Sequence, residues 1–466
     1  MKPKRRLRDV FNFRRLRHAS LSFAAAMAFG SGCMADSRPL IQENAPPATV
    51  TGCVAQPAVP AAPKLPYDEE LFRQNDTQPP SQAVLAMTQD ERIQYYMNKF
   101  CFTADTAAND NNPRDKAIVA ALDTLRGVTF MGKPLFDLAE AAHLRFCALK
   151  HMPSGTAAQY LSSHDFVAAG QNSQPQGEVL DIAHEIVHAA QGRHGLLTYG
   201  YNWDIESRVR RNLVAEAAPV AMEYSVAYEK KLQGDSSYWD YLKKHNANTA
   251  YTSEANHQLF EKTYQEGITA GNTQDQALHA AAHAIFERVF DSDDWRRFYL
   301  TAELNSYIGD IAEGRYKDLD SVSRGVIDQD KIDLAGQIGD LPSYTKGAHV
   351  PAYADLFKGD QKMQWAYEAA DIARYRQQFG ADAPMVKELE TQAAANKNPY
   401  LALDFKVACQ RIEQARWEGH FKPTWQMLDD LLKNPPKPDT APAAVNGNCT
   451  PSTTATNVVS APRPAL

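Results

Sequence analysis

Basic charge is not in excess in this sequence. Its 466 residues carry 49 Lys and Arg against 56 Asp and Glu, a formal net charge of -7. A chain so balanced has no broad cationic field for a phosphate backbone, which excludes nucleic acid as its partner. Long apolar runs are also missing. The most apolar stretch near the start, Leu21 to Gly30 (LSFAAAMAFG), is too short to cross a bilayer as a helix. The six cysteines contain no CxxC pair, so no zinc knuckle is built from them. No segment repeats. What is there is ordinary for a folded chain: 44% hydrophobic and 23% charged residues exclude disorder throughout and a collagen-like chain.

The two ends differ from the middle. Residues 1–19 hold Lys2, Lys4, Arg5, Arg6, Arg8, Arg14, Arg15 and Arg17 against one acid, Asp9. A basic region, a short apolar core and then small residues have the order of an export signal. The core ends at Gly30-Ser31-Gly32-Cys33, similar to a bacterial lipoprotein cleavage site, so Cys33 is the candidate for lipidation and a lipid anchor in the membrane. The other reading is a basic N-terminal arm that is never cleaved. Residues 34–66 are rich in Pro and Ala with no hydrophobic period, and the linker is drawn to residue 85. Residues 434–466 are similar in composition and are expected to be a disordered tail. Export permits disulfides, and Cys101 with Cys147 is the pair expected first, against free buried thiols in a reducing compartment.

Between the ends the apolar spacing is mostly helical. Helices are expected near 88–102, 114–126, 134–144, 178–191, 204–233, 252–269, 273–290 and 293–312. Gly, Asp and Pro then interrupt the pattern over roughly 316–361. More helices follow near 362–379, 384–396, 400–417 and 423–433. The stretch 144–169 differs, with LRFCAL, AAQYL and DFVAA as short strand-like runs between turn signals. The expected fold class is α+β, predominantly α-helical, with a small sheet ahead of the helix at 178–191. The chemistry is expected over 86–320, with a helical C-terminal region over 321–433.

That helix reads EVLDIAHEIVHAAQGRHG and contains His184-Glu185-Ile186-Val187-His188, an HExxH pattern. On a helix, positions i and i+4 share one face, so two imidazoles can hold one Zn²⁺. Glu185 then stands beside the ion as a general base toward a zinc-bound water. Ile186, Val187, Ala183, Ala189 and Ala190 make the helix apolar almost all round. Two histidines and an acid buried there are costly unless something satisfies them. Gly192 is the expected helix stop.

A third protein ligand is needed. His194 stands six residues after His188, the metzincin spacing, but position 191 is Gln and Gly192 is one late for that motif. The favoured ligand is Glu216, in the apolar run LVAEAAPVAMEY on the next helix. Glu223 lies two turns further on and is expected to accept a hydrogen bond from a ligating histidine. Pro219, between them, is expected to kink the helix. A rival pair, His279 and His283 with Glu287, has helical spacing but no built-in base, and the aromatic run 286–300 reads as core.

HEIVHAAQ followed by an AEAAPVAMEY helix resembles the gluzincin arrangement of zinc metallopeptidases. It is similar in particular to a bacterial metallopeptidase family of the form HExxHAxQ with a Glu-Ala-rich helix after it. The NExxSD signature of many gluzincins is absent. The resemblance covers roughly 140–300 and implies His184, His188 and Glu216 as zinc ligands and Glu185 as base, acting on a peptide or protein substrate. An oxyanion developing beside the ion needs a hydrogen-bond donor. Tyr199 and Tyr201, on the loop between the two helices, and Tyr224 are the candidates. The leading expectation is a zinc peptidase of the cell envelope. The alternatives are a non-catalytic zincin-fold binding or structural protein, and an exported effector using the same chemistry.

Overall fold

The computed structural model describes residues 67–104, 106, 115–152, 157–170, 174–197, 203–246, 254–317, 319, 327–417 and 424–434. The fold is α+β and mostly helical, with one small mixed sheet. Helices α1 (Tyr67–Asn75), α2 (Gln82–Leu85) and α3 (Gln89–Phe100) lead into strand β1 (Cys101–Thr103). Helices α4 (Lys116–Arg126) and α5 (Gly132–Ala141) precede strands β2 (Arg145–Leu149), β3 (Ala158–Leu161) and β4 (Phe166–Gly170). Two long helices follow, α6 (Pro175–Arg193) and α7 (Ile205–Leu232). Then come α8 (Ser237–Asn246), α9 (Glu254–Thr269), α10 (Gln274–Val289) and α11 (Asp293–Ala312). The described order ends with α12 (Gln329–Ala335), α13 (Tyr353–Leu356), α14 (Gln361–Phe379), α15 (Pro384–Ala395), α16 (Phe405–Trp417) and α17 (Thr424–Lys433). Among the described residues no helix is long and apolar enough to cross a membrane.

The sheet has the order β1-β2-β4-β3. β1 and β2 run antiparallel, β2 and β4 parallel, and β4 and β3 antiparallel. Alternate residues point to opposite faces. Phe146, Ala148, Val167 and Ala169 enter the main core beneath α6, while Cys147, Leu149, Phe166 and Ala168 pack against α1 and α3. Both faces are therefore covered, which explains near-continuous apolar strands rather than an alternating pattern. Cys101 lies opposite Cys147 in the β1–β2 register, and the two form a disulfide.

Three local features depart from the sequence reading. The expected linker over 34–85 includes α1 and α2, and Leu71 and Phe72 of α1 are buried against Ile93, Tyr96 and Phe166. Those apolar contacts, with the Glu69–Arg92 and Asp76–Lys99 ion pairs, hold that stretch against α3 and the sheet. β1 was expected as the end of a helix. Its three residues are extended because they pair with β2. Gly192 does not end its helix. α6 runs on to Arg193, with Gly195 at φ +73° after it. Leu196 N–H then bonds the Gln191 carbonyl at 2.9 Å and Gly195 N–H the Gly192 carbonyl at 3.0 Å, which closes the helix end. Gly192 is instead where the Tyr160 ring crosses, and a Cβ there would lie 3.2 Å from its hydroxyl. Pro219 sits inside α7 without dividing it.

α6 packs on α7, β3 and β4, and α11 packs on α7, α14 and α16. One continuous apolar core joins residues from Phe102 to Leu431, so the helices after residue 321 share the interior of those before it.

Candidate metal centre

α6 places His184 and His188 one turn apart with ring centroids 4.8 Å apart. Both rings are buried, as are Glu185 beside them and Glu216 on α7. His184 Nε2 lies 3.7 Å from Glu216 Oε2, and His188 Nε2 lies 3.7 Å from Glu216 Oε1. These are not hydrogen bonds; they are separations across a gap. Among the described residues, His184, His188 and Glu216 are the one group of three such side chains whose ligand atoms all lie within 4.8 Å of one another. His188 Nε2 and Glu216 Oε1 are buried and have no hydrogen-bond partner. An unpaired imidazole nitrogen facing an unpaired carboxylate oxygen in the interior costs several kcal/mol unless an ion joins them. Nitrogen and oxygen ligands on one tetrahedral Zn²⁺ stand about 3.3–3.5 Å apart, close to the observed gap. The donor set therefore fits a zinc ion.

Each of the three is aimed by an outer partner. His184 Nδ1 donates to Glu223 Oε1 at 2.5 Å. His188 Nδ1 donates to Gln191 Oε1 at 2.9 Å. Tyr299 on α11 donates its hydroxyl hydrogen to Glu216 Oε2 at 2.8 Å. Such contacts fix ring orientation and hold the ligand atoms in place. Burial would also raise the Glu216 carboxyl, but the neighbouring His188 and His184 and the Tyr299 hydroxyl hold it below its usual range, so it is ionised. Burial drives His188 down to about 4, leaving a neutral ring. Burial opposes charge on His184 too, yet Glu216 and Glu223 carry it well above the ordinary histidine range.

Glu185 points toward the sheet. Its Oε2 accepts the Tyr160 backbone N–H at 2.6 Å from β3, the edge strand. Burial pushes its carboxyl up to about 7, against the pull of His184 and the Tyr160 N–H. A carboxyl in that range can both take and give a proton near neutral pH. One turn earlier Asp181 is buried too, and burial with the charges of Glu178 and Glu223 lifts it well above the usual range.

The structure brings together His184, Glu185, His188, Glu216 and Glu223. His194, the other third-ligand candidate, is exposed as the C-terminal cap of α6 and is not in the cluster. Its backbone serves the turn, so its ring is carried past the helix end. Tyr224 packs against Trp239, His257 and Phe260 in an aromatic cluster. Tyr199, Tyr201 and Cys33 lie outside the described residues. The rival His283 is spent on the Tyr344 carbonyl at 3.0 Å, with Glu287 3.5 Å from its other nitrogen. Two site residues were missed from the sequence, Gln191 and Tyr299. Gln191 was visible inside the HAAQ run. Tyr299 had no local signal.

The family model described as "Putative metallopeptidase family (DUF6782)" matches residues 90–344. The match covers more than half of the chain and spans α3 through Tyr344, whose hydroxyl donates to the Ala218 carbonyl two residues past Glu216. No curated protein and no solved structure matches.

Proposed function

The chain belongs to this metallopeptidase family, and from that premise we propose that it is a zinc-dependent peptidase of gluzincin type, with His184, His188 and Glu216 as ligands and Glu185 as general base. One observation carries the reading: two imidazole nitrogens and one carboxylate oxygen converge on a buried gap, with a proton-accepting carboxylate next to it in sequence. Three protein ligands leave a fourth position for water or substrate, the mark of a catalytic rather than a structural zinc site. When bound, the ion would polarise a peptide carbonyl and make water acidic enough to lose a proton near neutral pH.

The chain's own residues do the rest. Glu185 receives a proton at its carboxylate and later returns one to the leaving amine. Its raised proton affinity, set by burial, suits both steps. The Tyr160 N–H holds one Glu185 oxygen at 2.6 Å, which leaves the other for the proton. Glu223, Gln191 and Tyr299 keep the three ligand side chains from rotating away. The substrate class is peptide or protein. The basic and apolar N-terminal segment and the Cys101–Cys147 disulfide support export to the cell envelope.

The test is metal content and hydrolysis in parallel. Purified wild-type protein should carry one zinc and cleave an unstructured protein such as casein. Glu185→Gln should keep the zinc and lose about 10²–10⁴-fold in rate. His184→Ala and Glu216→Ala should lose the metal. Zinc retained at full stoichiometry in Glu216→Ala would refute the ligand set, and full hydrolysis by Glu185→Gln would refute the base.

A further inference from the structure

Gln191 and Pro219 meet at one carbonyl. In an uninterrupted helix the N–H of residue 219 would bond the oxygen of Ala215, four residues earlier. Proline has no N–H, so that oxygen is left open. It accepts instead from Gln191 Nε2 at 3.0 Å, across from α6 to α7. The second Nε2 hydrogen goes to the Ala335 carbonyl at 3.1 Å, at the end of α12. A carbonyl only accepts, so both contacts belong to the amide nitrogen, and this fixes which way round the side chain sits. The amide oxygen is then the atom facing His188 Nδ1 at 2.9 Å. An amide oxygen only accepts as well, so Nδ1 carries the hydrogen. In a neutral imidazole the lone pair is then on Nε2. That nitrogen has no partner within the protein and faces Glu216 Oε1.

We infer that Gln191 is a positioning residue that commits His188 to its metal-binding tautomer, and that Pro219 keeps Gln191 in place by leaving the Ala215 carbonyl free. This inference rests on the metal reading of the site. It gives the helix-interior proline a purpose. A proline inside an ordinary helix is strongly destabilising relative to alanine, so the position is occupied against stability. The same amide ties the metal-bearing pair of helices to α12, more than a hundred residues downstream.

The experiment measures zinc affinity of the full-length protein by chelator competition, beside thermal melting of the metal-free form. Gln191→Met keeps the length of the side chain and removes the acceptor, and should weaken zinc binding about 10–100-fold. Pro219→Ala returns an N–H to the Ala215 oxygen, displaces Gln191, and should weaken zinc binding although the metal-free protein melts no lower than wild type. A purely structural role would not lower zinc affinity while leaving the melting temperature undiminished. Wild-type affinity in both Gln191→Met and Pro219→Ala would overturn the inference. A wild-type protein that takes up no zinc would instead sink the metal reading on which it rests.

Discussion

Tyr299 reaches across from α11 to donate a 2.8 Å hydrogen bond to Glu216 Oε2, 83 positions away in sequence. The phenol is held by Trp295 and Phe298, whose rings lie 4.9 Å and 5.2 Å away. The hydroxyl occupies one carboxylate oxygen and leaves Oε1 facing His188. Tyr299→Phe removes the hydroxyl and keeps the packing. A hydrogen bond to a charged group contributes about 1.5–3 kcal/mol, so zinc affinity should fall on the order of tenfold or more. Chelator competition reads the change directly. Unaltered affinity would mean that Glu216 is held by its helix alone.

The contrast between Tyr299 and the histidines shows what a sequence can reveal about this site. His184, Glu185 and His188 are local. Their spacing is set by one helix turn and can be read without any tertiary information. Glu216 is one step harder, since an acid among alanines signals a buried charge without saying what neutralises it. Tyr299 lies in an aromatic run that reads as core, and Trp295 and Phe290 beside it are core. Its partner is chosen by packing of α11 on α7, which no local pattern encodes. The same limit applies to β1. Cys101–Thr103 are extended by pairing with β2, and the preceding helical spacing masks them.

The Cys101–Cys147 disulfide closes a loop with a sequence separation of 46. Loop-closure entropy for that length is worth about 4 kcal/mol in the chain-entropy account. A Cys101→Ser, Cys147→Ser protein should therefore unfold at clearly lower denaturant concentration, and reductant should lower the wild-type melting temperature without affecting the double variant. The strand pair it joins is next to β4, which holds β3, whose Tyr160 N–H positions Glu185. Equal midpoints for the two proteins would show that the sheet is fixed by packing alone.

Arg208 on α7 is buried and fully engaged. Its guanidinium bonds Glu303 at 2.8 and 2.9 Å, Asp310 at 3.1 Å and the Tyr316 hydroxyl at 2.7 Å. Burial opposes its charge, but Glu303, Tyr316 and Asp310 keep it protonated. Arg208→Ala would take the guanidinium from buried Glu303 and leave Asp310 with Arg315, 3.4 Å away, as its cation. Removing one partner of a buried ion pair costs about 3–5 kcal/mol, so this variant should be strongly destabilised in urea unfolding. Glu303 lies one turn from Tyr299 on α11, so zinc affinity should fall together with stability. An Arg208→Ala protein as stable as wild type would show that water enters to replace the guanidinium.

His164 in the β3–β4 turn donates from Nδ1 to Asp68 of α1 at 2.6 Å, with Asp90 3.9 Å from its other nitrogen. The hydrogen bond to Asp68 raises the imidazole above its ordinary range, burial opposes this, and the charges of Asp68 and Asp90 add to it. A group whose folded pKa is raised stabilises the protein fully below its unfolded pKa, here about 6.5, and loses that contribution as pH rises through the folded value. Wild type should therefore exceed His164→Gln in melting temperature at about pH 5.5, and the gap should narrow by about pH 8.5. A gap that stays constant with pH would assign the contact to packing instead. The consequence reaches the site, because the same turn carries Asp165. That carboxylate accepts from the Tyr160 hydroxyl and from Arg193 of α6, both at 2.8 Å. The turn that His164 ties to α1 is in this way also tied to β3 and to α6.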